Sequence, residues 1–151
     1  MRALAAVAFF LSSLIMAPCA LANEEQGDTL IFQTLFEKWT DAFNRKDLGG
    51  SCSLFSNTVA ASYRGQPEKN FDSICNGFKK IFAETKRSYR YRFKVHHVYR
   101  SGNLAAVRIT WYLTVVEDGK LKSLTEDQGM DILEKNESGN WQIVNYVAYD
   151  E

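Results

Sequence analysis

The chain has 151 residues, with 18 basic side chains against 18 acidic ones and no net charge at neutral pH. That balance excludes a general electrostatic pull toward nucleic acid or an anionic membrane, and the length suits one domain with a real core.

Residues 1–22 read as a cleavable signal peptide. Arg2 supplies the positive start, Ala3 to Met16 is apolar apart from Ser12 and Ser13, and Ala20-Leu21-Ala22 is a small-x-small exit. Pro18 interrupts the apolar run before it is long enough to span a bilayer. The expectation is therefore an exported protein, periplasmic or secreted, with a single domain over residues 23–151 and no membrane partner after cleavage. Of the three cysteines, Cys19 leaves with the signal. The remaining pair in an oxidising compartment points to a Cys52–Cys75 disulfide, the other reading being two buried thiols.

Asp28 is positioned to cap a first helix. Phe32, Leu35, Phe36, Trp39, Ala42 and Phe43 follow as one apolar stripe at helical spacing. Asn44 to Asp47 ends it and Gly49-Gly50 breaks it. Ser51 to Phe55 is read as a short second helix and Thr58 to Tyr63 as a strand. Asn70 caps a third helix, in which Phe71, Ile74, Cys75, Phe78, Ile81 and Phe82 repeat the stripe. Cys75 on that apolar face would meet Cys52 if the segment after the first helix covers it.

From Ser88 the period becomes two. Tyr89, Tyr91, Phe93, Val95, His97 and Tyr99 form the row expected inside, against an outer row with Arg90, Arg92, Lys94 and His96. Ala105 to Val116 is the next strand, with Trp111 inside. Asp118-Gly119 is a hairpin signal. Leu121 to Glu134 follows, with a bulge expected near Gly129, and Trp141 to Tyr149 closes the domain. Helices with one apolar stripe must bury it on a sheet. The predicted fold class is α+β, a curved antiparallel sheet wrapped around the N-terminal helices into a cone.

The ordered motifs resemble the nuclear transport factor 2-like superfamily and, within it, the SnoaL-like group. Phe36-x-x-Trp39-x-x-Ala42-Phe43-x-x-Lys46-Asp47, Gly102-Asn103-x-Ala105 and Gly139-Asn140-Trp141-x-Ile143-Val144 carry the likeness, which spans residues about 29 to 149. It implies a cone fold, frequent homodimers and a pocket between sheet and helices, but no single activity. A steroid-isomerase type of relative needs a carboxylate base about three residues before the glycine that ends the first strand. This sequence has Ser62 there, which weighs against that chemistry.

The candidate proton-transfer groups are then His97, as a titratable residue in the inward row, and Asp127. Asp127 and Asp131 share a parity in their strand: they either line the pocket or face outward toward Arg92, Lys94 or Arg108, and the apolar Met130 and Ile132, which want the inside, favour the outward reading. Trp39, Tyr63, Tyr91 and Trp111 are candidates for lining a pocket, with core packing the alternative. Asn145 marks either that pocket or a structural hydrogen bond. Two adjacent histidines on opposite faces do not make a metal site, and no motif calls for a cofactor. Asn136-Glu137-Ser138 is a glycosylation sequon that matters only in a eukaryotic secretory host. The reading is a non-catalytic domain that binds a small, partly apolar molecule in the cone. The alternatives are an acid–base isomerase, dehydratase or cyclase, and a dimeric protein-interaction domain.

Overall fold

The structure is a computed structural model that describes residues 19–63 and 65–150, with side-chain surroundings described for 26–63 and 65–148. All but the last four residues of the expected signal peptide lie outside the described residues. The elements are α1 (Cys19–Asn44), α2 (Leu48–Ser53), β1 (Phe55–Tyr63), α3 (Phe71–Ala83), β2 (Arg87–Ser101), β3 (Leu104–Glu117), β4 (Lys120–Lys135) and β5 (Trp141–Asp150). The α+β class and the curved, unclosed sheet around the N-terminal helices are as expected from the sequence. The strand order is β1-β5-β4-β3-β2, with β1 parallel to β5 and every other pair antiparallel.

The stripe of α1 becomes the spine of the core. Phe32, Phe36 and Phe43 are fully buried with Trp39, and they pack on Val107, Ile109, Leu133 and Trp141 from the sheet. Phe36 meets Phe93 and Trp111 edge-on at ring centroid distances of 5.7 and 5.4 Å. Asp28 does not cap this helix, which continues through it; its carboxylate instead accepts from Arg100 of β2 at 2.6 Å.

The end of α1 follows from local chemistry. Lys46 takes the left-handed conformation (φ 59°), Lys46 N–H donates to Phe43 and Asp47 N–H donates to Ala42. Those are the two bonds of a Schellman stop. Asp47 then caps α2 through Gly50 N–H at 2.9 Å. The glycine pair therefore sits inside α2 rather than breaking the chain. A Cβ on Gly50 would come within 2.7 Å of both Ala42 and Asp47. Asn44 reaches the free edge of β2, accepting from Tyr91 N–H at 2.9 Å and donating to Tyr91 C=O at 3.1 Å. It satisfies one residue's worth of an edge that, among the described residues, no strand covers.

Asn70 caps α3 as expected, in a reciprocal box with Ser73. The Cys52–Cys75 disulfide is present, with Cα atoms 5.7 Å apart, and ties α2 to α3.

Two register shifts decide which side chains face in. In β2 the ladder slips between Val95 and His97, and in β5 it slips opposite the Ile132–Leu133 step. Each shift exchanges the two faces beyond it. The bulge expected at Gly129 is not there: pairing runs unbroken through Gly129 to Ile109 and to Ala148. Gly129 is instead a site of close approach, where a Cβ would strike the Val147 carbonyl and stand 3.2 Å from Ala148 Cα.

Candidate functional site

Between the sheet and α3 lies a cavity of about 450 Å³, within the range of small-molecule sites. One wall is aromatic. Trp39 of α1, Tyr91 of β2 and Trp111 of β3 are mutual neighbours, with centroid distances of 4.9 Å for Trp39–Trp111, 5.4 Å for Trp39–Tyr91 and 5.9 Å for Tyr91–Trp111. The wall is fixed from behind, because the Trp39 indole donates to Ser51 C=O at 2.8 Å. Ile74, Phe78 and Ile81 of α3 form the opposite wall. The segment after β1 folds back through a two-bond bridge between Ala61 and Lys69, which brings Gln66 and Lys69 to the lining.

The polar groups come from β4. Asp127 and Asp131 flank Gly129 in one inward row that continues to the buried Leu133. Asp127 accepts a hydrogen bond from the Tyr63 hydroxyl. Asp131 is 3 % exposed, and its Oδ2 has no hydrogen-bond partner. Burial drives the Asp131 carboxyl up to about 7, against one opposing hydrogen bond from Trp111. Tyr146 of β5 is raised to about 12, first by burial and then by the charges of Asp131 and Asp127. Tyr91 is raised further still by burial and by Asp127. The chamber thus holds a carboxyl that changes charge near neutrality and phenols that stay protonated.

The SnoaL-like domain family matches residues 36–144. The chain belongs to that family. This SnoaL-like domain also shares its fold with solved structures of the nuclear transport factor 2-like superfamily. A ketosteroid isomerase-like protein from Erwinia carotovora atroseptica superposes with a TM-score of 0.63 at 19% identity, over 78% of this chain and 92% of that one. An NTF-2 like protein of unknown function from Shewanella oneidensis MR-1 gives 0.69 at 20% identity, over 81% and 98%. An NTF2-like protein with a cystatin-like fold from Novosphingobium aromaticivorans gives 0.67 at 13% identity, over 93% and 92%. No curated protein matches the sequence.

Within this SnoaL-like domain the four expected aromatics, Trp39, Tyr63, Tyr91 and Trp111, all line the cavity. Asp127 and Asp131 also face it, contrary to the outward orientation expected from Met130 and Ile132. Met130 and Ile132 lie on the outer face instead, and Met130 lines a shallow recess there with His96 and Arg108. His97 is not an inward residue. The slip after Val95 pairs it with Arg108 on the outer face, exposed, and turns Val98 inward in its place. Tyr99 goes out with it and is 61% exposed. His96 is the better-anchored histidine, with Nε2 at 2.8 Å from Thr110 Oγ1. Its pKa is lowered, first by desolvation and then by Lys94, Arg108 and His97. Asn145 pairs with Ile132 and Ala60 in the outward row, because the slip in β5 gives the inward positions to Tyr146 and Ala148. Ser62, at the isomerase base position, alternates outward beside the inward Tyr63. Among the described residues no cluster of His, Cys, Asp and Glu is arranged to hold a metal ion.

Proposed function

We propose that this domain binds a small, partly apolar molecule in the cavity. The observation that carries the reading is an aromatic-walled chamber with a buried, incompletely bonded carboxyl at its inner surface. A purely structural core would fill that space, and a buried carboxylate oxygen without a partner costs stability. Export belongs to the same proposal. It is supported by the N-terminal apolar run and by the disulfide, while no helix among the described residues is long and apolar enough to cross a membrane. A homodimer is also proposed, with the outer sheet face as its seat, where Tyr99 and Val147 stand 61% and 50% exposed.

Acid–base catalysis is the second reading, favoured by the placement of the Asp131 carboxyl on the chamber wall, where burial pushes its pKa up to about 7. The carboxylates of β4, not His97, would carry it. Native mass spectrometry of protein secreted into an oxidising compartment tests the binding proposal. The expected result is a small-molecule adduct that is released on denaturation, or binding of the neutral dye Nile red that Ile74→Trp abolishes by filling the chamber. Absence of both would sink it.

A further inference from the structure

We propose that the cavity selects a cationic ligand, an ammonium group on an apolar body, with the ammonium seated against Asp131 and the body against the Trp39–Tyr91–Trp111 wall. This rests on the binding function proposed above and names the chemistry of the ligand.

Three observations converge. The first is the orphan oxygen. Trp111 hydrogen-bonds the Asp131 carboxyl, yet Oδ2 remains without a partner in a residue 3 % exposed on the cavity lining. A buried acceptor left open in this way is completed by a donor that arrives with the ligand, and a charged donor makes the stronger bond. The second is the sign of the lining. Among the described residues it carries the carboxyls of Asp127 and Asp131 against the single cation Lys69. An anionic ligand would meet repulsion from both carboxylates, which is discrimination as well as attraction. The third is the wall itself. Two indoles and a phenol packed within 6 Å of one another offer the π-faces that ammonium groups favour.

The groups that face Asp131 and its chamber are Asp127 on the same strand, Tyr63 from β1, Lys69 from the segment behind it, Tyr91 from β2 and Tyr146 from β5. Helices α1 and α3 contribute no charged side chain to the described lining. Ammonium binding requires ionised Asp131. Affinity should therefore rise as pH rises through about 7, and the ligand should displace a proton when it binds below that pH.

Isothermal titration of the purified chain with 2-phenylethylammonium, 2-phenylethanol and acetophenone tests this. At about pH 8 the ammonium should bind about tenfold or more tighter than the alcohol. At about pH 5.5 its affinity should drop on the order of tenfold while that of the alcohol holds. Asp131→Asn should erase the lead of the ammonium at the higher pH, with circular dichroism showing the fold intact. The comparison of the two pH values in the unmodified protein stands even if that variant does not fold. Equal binding of alcohol and ammonium would overturn the cation proposal and leave the pocket reading in place. Tightest binding of acetophenone would do the same, and would identify Asp131 as a neutral donor to a carbonyl. Failure of all three probes to bind would overturn the cation proposal, and failure of Nile red as well would overturn the pocket with it.

Discussion

On the outer face of the sheet, His96 and Thr110 meet at 2.8 Å with Arg108 beside them in a shallow recess. On the inner face of the sheet, Asp131 keeps one oxygen unpartnered in a cavity that Trp39 and Trp111 also line. Polar side chains on the outside are wetted or, like the buried Thr110 hydroxyl, paired with a neighbour. Those on the inside are dry, and the fold bears their desolvation. The difference is the ground on which the inner carboxylates, rather than the outer polar groups, enter the proposed binding function.

The largest contrast should appear on truncating an aromatic ring on each face. Phe36→Ala removes a fully buried ring that touches Phe93 and Trp111 and should cost about 3–5 kcal/mol. Tyr99→Ala, on the outer face at 61% exposure, should stay within about 0.5 kcal/mol. Urea denaturation measures both, and equal losses would break the division between the faces.

The next effect depends on pH. Asp131 has a folded pKa of about 7 against an ordinary value of 3.8, so the native state holds this proton more tightly than the unfolded chain does. Its contribution to stability is complete below about 4 and is lost as pH rises through about 7, an upper bound of roughly 4 kcal/mol. Asp131→Asn should therefore raise the unfolding free energy at about pH 8, by up to that amount, and change it little at about pH 4. A variant destabilised equally at both values would show that the carboxyl is satisfied in a way the present geometry does not contain. A smaller loss is expected from Gly129→Ala, about 1–3 kcal/mol, because the new methyl meets the backbone of Val147 and Ala148, which cannot swing aside.

The sequence made α1, α3 and the row of β3 legible because they rest on long, uninterrupted periods, whereas the six-residue α2 was expected at Ser51–Phe55 and stands at Leu48–Ser53. The stripe from Phe32 to Phe43 and the alternation from Ala105 to Val115 each have one reading. β4 does not. Its rows are Asp127-Gly129-Asp131-Leu133 and Gln128-Met130-Ile132-Glu134, and hydrophobicity alone sends the second row inward. A cavity reverses that preference, since its lining needs polar groups that a solid core would refuse. The one cue available was Leu133, fully buried and of the same parity as both aspartates. The slips in β2 and β5 left no signal at all. A bulge costs one ladder position and carries no required residue type here, so the alternation through His97 looked continuous when it was not.

The last and smallest prediction tests that slip directly. If β2 alternated without interruption, His97 would stand inside and His96 outside in water, and only the loss of His97 would matter. With the slip, His96 is the histidine with a structural partner. Thr110 is 2 % exposed, and its hydroxyl meets His96 Nε2 at 2.8 Å. His96→Ala would leave that buried hydroxyl without the imidazole and should cost about 1 kcal/mol. His97→Ala, exposed opposite Arg108, should fall within about 0.5 kcal/mol of the parent and leave cavity binding unchanged. Denaturation curves for the two alanine variants, measured side by side, decide between the registers. A costly His97→Ala with a silent His96→Ala would return His97 to the chamber and restore it as a candidate proton-transfer group.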